Sequence, residues 1–193
     1  MTPVHRPQGG FTLVELLVVL LLLGVVGSIV AGGLVRGMRA DAQAQARIEA
    51  FEDMQVALER VSREVRAAST PPPESVLDFD KDGKWLQLQV LREGTCIRFT
   101  YEVDADDDVL RASEERSTDG CENFGTSTDR VLVPDLADHA VFTFETNRYD
   151  DDGERIAADS AGDIRFVTIT FTRTLFEQQP VTVSTVVGLR NAS

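Results

Sequence analysis

Gly9-Gly10-Phe11-Thr12-Leu13-Val14-Glu15-Leu16-Leu17 leads into twenty residues, Leu16 to Val35, that carry no charge. As an α-helix at ~1.5 Å per residue that run spans about 30 Å, enough to cross a bilayer core. Gly24, Gly27, Gly32 and Gly33 lie inside it; glycine is tolerated in membrane helices and permits close helix packing. Glu15 stands at its start. A carboxylate beside an apolar run is costly in lipid and usually has a functional partner. The order of features differs from that of a secretory signal, in which the small-residue cut site follows the apolar run. Here Gly9-Gly10 precedes it, so a cut after Gly10 would leave the whole apolar helix on the mature chain. Met1–Gly10, with two prolines, two glycines, His5 and Arg6, specifies neither helix nor strand and reads as a leader.

The helical signal continues beyond the apolar run. Ile48, Phe51, Met54, Leu58, Val61 and Val65 step by three or four residues and form one apolar stripe. Glu59, Arg60, Arg63 and Glu64 are expected on other faces, and alanines fill Ala40–Ala50. Pro71-Pro72-Pro73 ends the helix. The reading is one helix from Phe11 to Ala68, its first half in a membrane or filament and its second half laid on a sheet.

After Pro73 the pattern has period two. Leu86, Leu88 and Val90 alternate with glutamines, and Ile97, Phe99, Tyr101 and Val103 with polar residues. Val141–Thr146, Ile164–Arg173 and Val181–Leu189 continue the β signal. Asp/Gly-rich joints fall at Asp78–Gly83, Asp104–Asp108, Asp150–Gly153 and Asp159–Asp163. The fold class is α+β: a long N-terminal helix, membrane-spanning in its first half, packed on a C-terminal antiparallel β-sheet. The expected division is 1–10 leader, 11–35 transmembrane or filament-core helix, 36–70 amphipathic continuation and 71–193 acidic β-rich head.

The net charge of -13 resides in that head. Residues 36–70 hold six acidic and six basic side chains, whereas 25 acidic and 12 basic side chains follow residue 70. Such a head repels nucleic acid, whose binding depends on neutralised phosphates, so no direct nucleic-acid binding is expected. It favours solubility and attracts cations. Cys96 and Cys121 both lie beyond the apolar run, in the exported part. In an oxidising compartment a disulfide between them is the economical reading, and two buried free thiols the alternative.

Few residues invite chemistry. Asp78-x-Asp80-x-Asp82-Gly83 resembles the start of a calcium loop, with oxygens at alternate positions and a glycine at the turn. Gln89 occupies the place of the closing acid, and the competing reading is a turn with solvated aspartates. No cofactor is expected beyond this calcium candidate. His139, the one histidine outside the leader, has no nucleophile elbow to serve. No phosphate loop, dinucleotide motif or metalloprotease helix is present, so no enzyme activity is expected. Trp85, the single tryptophan, is expected at a core or sheet-to-helix contact.

Gly-Phe-Thr-Leu-Val-Glu-Leu-Leu resembles the class III leader of type IV prepilins and type II secretion pseudopilins, and the resemblance covers residues 9–35. It implies cleavage between Gly10 and Phe11 by a prepilin peptidase, N-methylation of Phe11 by the same enzyme, and Glu15 as the carboxylate that meets a neighbouring subunit's amine during assembly. Ala57–Ala68 and the closing Val186-Val187-Gly188-Leu189-Arg190-Asn191 are similar to PilW/PulJ (GspJ)-like minor pilins. The resemblance implies a minor pilin or pseudopilin that initiates or caps a type IV pilus or type II secretion filament, with other major and minor pilins or pseudopilins as partners. It also implies a precursor held once across the bacterial inner membrane, head exported, and an envelope filament once assembled. The competing function is a membrane-tethered exported binding module that does not polymerise.

Overall fold

A computed structural model describes residues 12–68, 78–117, 119, 121–175 and 180–189. The chain divides into two compact units, Met1–Gln45 and Ala46–Ser193. In the first, every described residue from Thr12 to Gln45 belongs to or caps helix α1 (Leu13–Ala68) and is exposed to its surroundings. The unbroken helix over this stretch agrees with the absence of proline from it. Phe11, where the helix was expected to begin, and Pro71–Pro73, where it was expected to stop, lie outside the described residues.

The second unit combines the end of α1 with two antiparallel sheets rather than the one that the alternation suggested. The first sheet has the order β1-β2-β3-β4-β5, formed by Asp78–Phe79, Trp85–Arg92, Thr95–Asp104, Val109–Ser117 and Thr128–Val133. The second has the order β7-β6-β8-β9, where β6 is Phe142–Tyr149, β7 Arg155–Ala157, β8 Phe166–Arg173 and β9 Val181–Gly188. Alternate residues point inward, as period two requires. Leu86 and Leu88 on β2, Phe99 and Tyr101 on β3, Val167, Ile169 and Phe171 on β8, and Val183 and Val187 on β9 are buried. With Met54, Val61 and Val65 from α1 they form one continuous core.

Two features join the sheets. Tyr101 of β3 lies 6.2 Å from Phe142 of β6 between ring centroids, and Phe79 of β1 lies 4.5 Å from Phe144. The carbonyl of Gly83, in the β1–β2 turn, accepts the amides of Val141 and Phe142 at 3.0 and 2.9 Å. Gly83 has φ +75°, and a Cβ there would collide with the Phe142 carbonyl oxygen, so glycine is required at this joint.

The buried face of α1 differs from the expected stripe. Met54, Val61 and Val65 are fully buried and Leu58 partly so, but Ile48 and Phe51 are 59% and 41% exposed. The sheets meet the flank marked by Ala50, Ala57 and Ala68 instead, all buried. Glu64 falls on the same side, three residues after Val61, and is buried too, contrary to its expected placement on another face.

Candidate functional site at the start of the helix

The first turn of α1 is organised by Thr12. Its hydroxyl accepts the Glu15 amide at 3.3 Å, and its carbonyl accepts the Leu16 amide at 3.2 Å. Thr12 is therefore the N-cap, a role worth about 1 kcal/mol of helix stability. Thr-x-x-Glu is the capping-box spacing, a signal in the sequence that resemblance to a leader had overshadowed. Glu15 is the acidic residue of the first turn, where the positive end of the helix dipole favours a carboxylate. The cap fixes where the helix starts and holds Glu15 at the head of the apolar run. Gly10 and Phe11, the expected cleavage junction, lie outside the described residues.

Behind Glu15 runs a helix long and apolar enough to cross a membrane, with a mean hydropathy of 2.8 over its best window and none of that window buried within the chain. Leu20, Leu23, Ile29 and Leu34 are all more than half exposed. Such a surface needs a lipid or protein neighbour.

The other singled-out residues have structural surroundings. Cys96, at the start of β3, and Cys121, in the loop after β4, are joined by a disulfide. The Arg98 guanidinium lies 3.6 Å over the Phe124 ring in the same loop. Asp119 accepts hydrogen bonds from Ser117 and from the amide and side chain of Asn123, and these hold its carboxyl well below the usual carboxylate range.

Asp78, Asp80 and Asp82 are not gathered as a ligand set. The Asp78 carboxylate accepts the amide of Phe79, and that of Asp80 accepts the amide of Asp82. Among the described residues, no group of three histidine, cysteine, aspartate or glutamate side chains could hold a metal ion. Asp150 makes the same kind of turn, accepting the amides of Asp152 and Glu154. His139 Nε2 lies 2.8 Å from Asp108 Oδ1 on the surface. Trp85 is half-buried at the start of β2, opposite Glu102.

The reading of the sequence missed one polar cluster. Tyr101, fully buried on β3, donates its hydroxyl to Oε2 of Glu64, and Arg60 Nε donates to Oε1 at 3.2 Å. Burial raises the Glu64 carboxyl above its ordinary value of 4.5, and the charge of Arg60 opposes the rise. The spacing Val61, Glu64, Val65, Ala68 was the available sign, since these positions share one helix face.

Residues 5–31 match the family of the prokaryotic N-terminal methylation motif. Nothing among curated proteins or solved structures matches the chain. The match ends inside the apolar run, well short of the β-rich unit. Such a motif implies, in general terms, processing by a prepilin peptidase and assembly with other pilins, and the apolar helix behind it suits membrane anchoring. The chain thus carries the N-terminal methylation motif on a membrane-type helix, and this supports a type IV pilin-like protein.

Proposed function

We propose that the chain is a minor pilin or pseudopilin of the PilW/PulJ (GspJ)-like group, a structural subunit that starts or caps an envelope filament. The observation that carries this reading is the methylation motif at residues 5–31, which runs into a capped, apolar helix with Glu15 in its first turn. Residues 1–10 act as the leader, 11–35 as the membrane and filament-core segment, 36–70 as the amphipathic continuation and 71–193 as the head.

Hydrolysis of the Gly10–Phe11 peptide bond creates an amine on Phe11, which is then methylated. In the membrane the exposed apolar helix is solvated by lipid; in a filament the helices of neighbouring subunits replace that lipid. A carboxylate at Glu15 is costly to transfer into such a core without a partner. The amine of an adjacent subunit neutralises it, so processing supplies the group that assembly needs. Acidity in the head keeps the exported unit soluble and argues against duplex binding by this subunit.

Glu15→Val should be cleaved at the normal rate yet reach the filament at least tenfold less often, scored by sheared-filament immunoblots against membrane fractions. Normal incorporation would overturn the assembly role. Crosslinking from position 15 to other pilin-like subunits separates this function from that of a tethered binding module, which would give no such crosslink.

A further inference from the structure

The geometry points to β9 as a docking edge for an extended strand of another protein, a contact beyond the helix-based assembly described above. Among the described residues the two sheets have four outer strands: β1 and β5 in the first, β7 and β9 in the second. Three of these edges are blunted. β1 has two residues, β7 has three and an irregular register, and β5 exposes Asp129 and Arg130 and carries a register shift. Short, charged or bulged edges resist strand addition. By contrast, β9 pairs with β8 over eight residues without a shift, and Val181-Thr182-Val183-Ser184-Thr185-Val186-Val187-Gly188 has no charge and no proline.

Which backbone groups face the open side follows from the register. Leu189 donates its amide to the Arg165 carbonyl, and residues 166 and 188 are partners. In an antiparallel ladder the bonding direction alternates, so odd-numbered β9 residues bond to β8. The amides and carbonyls of Thr182, Ser184 and Val186 therefore point to the other side, where no described strand pairs with them. A repeating donor–acceptor row of this kind is matched by another extended backbone.

A second observation defines the side chains of that strand. Beside the start of β9 lies an open groove of about 590 Å³ lined by the apolar Ile48, Phe51, Pro180 and Val181 and by the charged Arg47 and Glu52, among others. Ile48 and Phe51 are among the apolar helix residues that the sheets leave exposed. A strand added to β9 would extend the inward face of the sheet over this groove. The occupant is thus an extended segment with apolar side chains at alternate positions facing Ile48 and Phe51 and polar ones outward. A second copy is disfavoured, because each chain carries a net charge of -13.

The test is backbone amide exchange on the full chain in detergent micelles. The probe is a synthetic ten-residue peptide of alternating valine and threonine, capped by lysines, beside a control of equal charge with two central prolines. The alternating peptide should slow exchange at Thr182, Ser184 and Val186 at least tenfold, and the control should not. Ser184→Pro removes one outward amide and leaves the backbone bonds to β8 in place, with loss of the Ser184–Thr170 hydroxyl contact; it should abolish the protection, whereas Ser184→Ala, which loses the same hydroxyl contact, should keep it. Protection of these amides before any peptide is added, or none at millimolar peptide, would overturn the proposal. Both readings come from the unmodified chain and hold even if the proline variant unfolds.

Discussion

Gly83 places one carbonyl against two amides of the opposite sheet, and its backbone occupies the left-handed region. Gly83→Ala would strain the turn and push the chain off Phe142. It should cost about 3 kcal/mol or more, read as a lowered midpoint in chemical denaturation of the full chain. Glu64 is the other residue whose effect is set by its surroundings. Its raised folded-state pKa means that the protonated form favours folding. The contribution is complete below the unfolded value near 4.5 and is lost as pH rises through the folded value. Glu64→Gln keeps an acceptor for Tyr101 and does not ionise. Its stability should therefore fall less between pH 4.5 and pH 7 than that of the parent; parallel curves would contradict the assignment.

At the scale of elements, the disulfide ties the loop after β4 to β3 across a sequence separation of 25. Replacing both cysteines by serine should lower stability by about 3 kcal/mol on loop-closure grounds, with the change measured by denaturation under non-reducing conditions. The long helix and the strands β2, β3, β6, β8 and β9 were legible because each shows clean periodicity. β4 was not, because Ser113, Glu114, Glu115 and Arg116 hide its alternation. Those charges are satisfied laterally, Arg98 with Glu115 at 3.2 Å and Arg116 with Glu114 at 2.7 Å. The stripe on α1 was misjudged at Ile48 and Phe51 because hydrophobicity alone does not report approach distance. Alanines that add little to an apolar pattern define the face that the sheets contact. Glu64 looked like a surface residue because its partner, Tyr101, lies 37 positions away.

At the scale of the whole molecule, the chemistry is segregated along the chain. The uncharged run Leu16 to Val35 is followed by a helical stretch of balanced charge and then by a β-rich unit that holds the acidity. Among the described residues, those from Leu13 to Val35 are exposed throughout. Such a surface suits a membrane or other helices as a neighbour, and the Thr12 cap holds Glu15 at the start of that helix. The motif was legible in the sequence because its meaning is local: small residues, an aromatic, a cap and an acid in seven positions. What the head contacts was not legible, because an open strand edge depends on which strands neighbour it, and that order emerges only from the fold.

In the proposed function, processing at Gly10 produces the assembling subunit with its helix intact. Intact-mass and N-terminal analysis of the chain from membranes of cells with and without an active prepilin peptidase tests it most directly. The mature chain should begin with N-methylated Phe11, retain the apolar helix and form only when the peptidase is active. A chain that keeps Met1–Gly10 in the presence of the peptidase, or that begins beyond Val35, would contradict it.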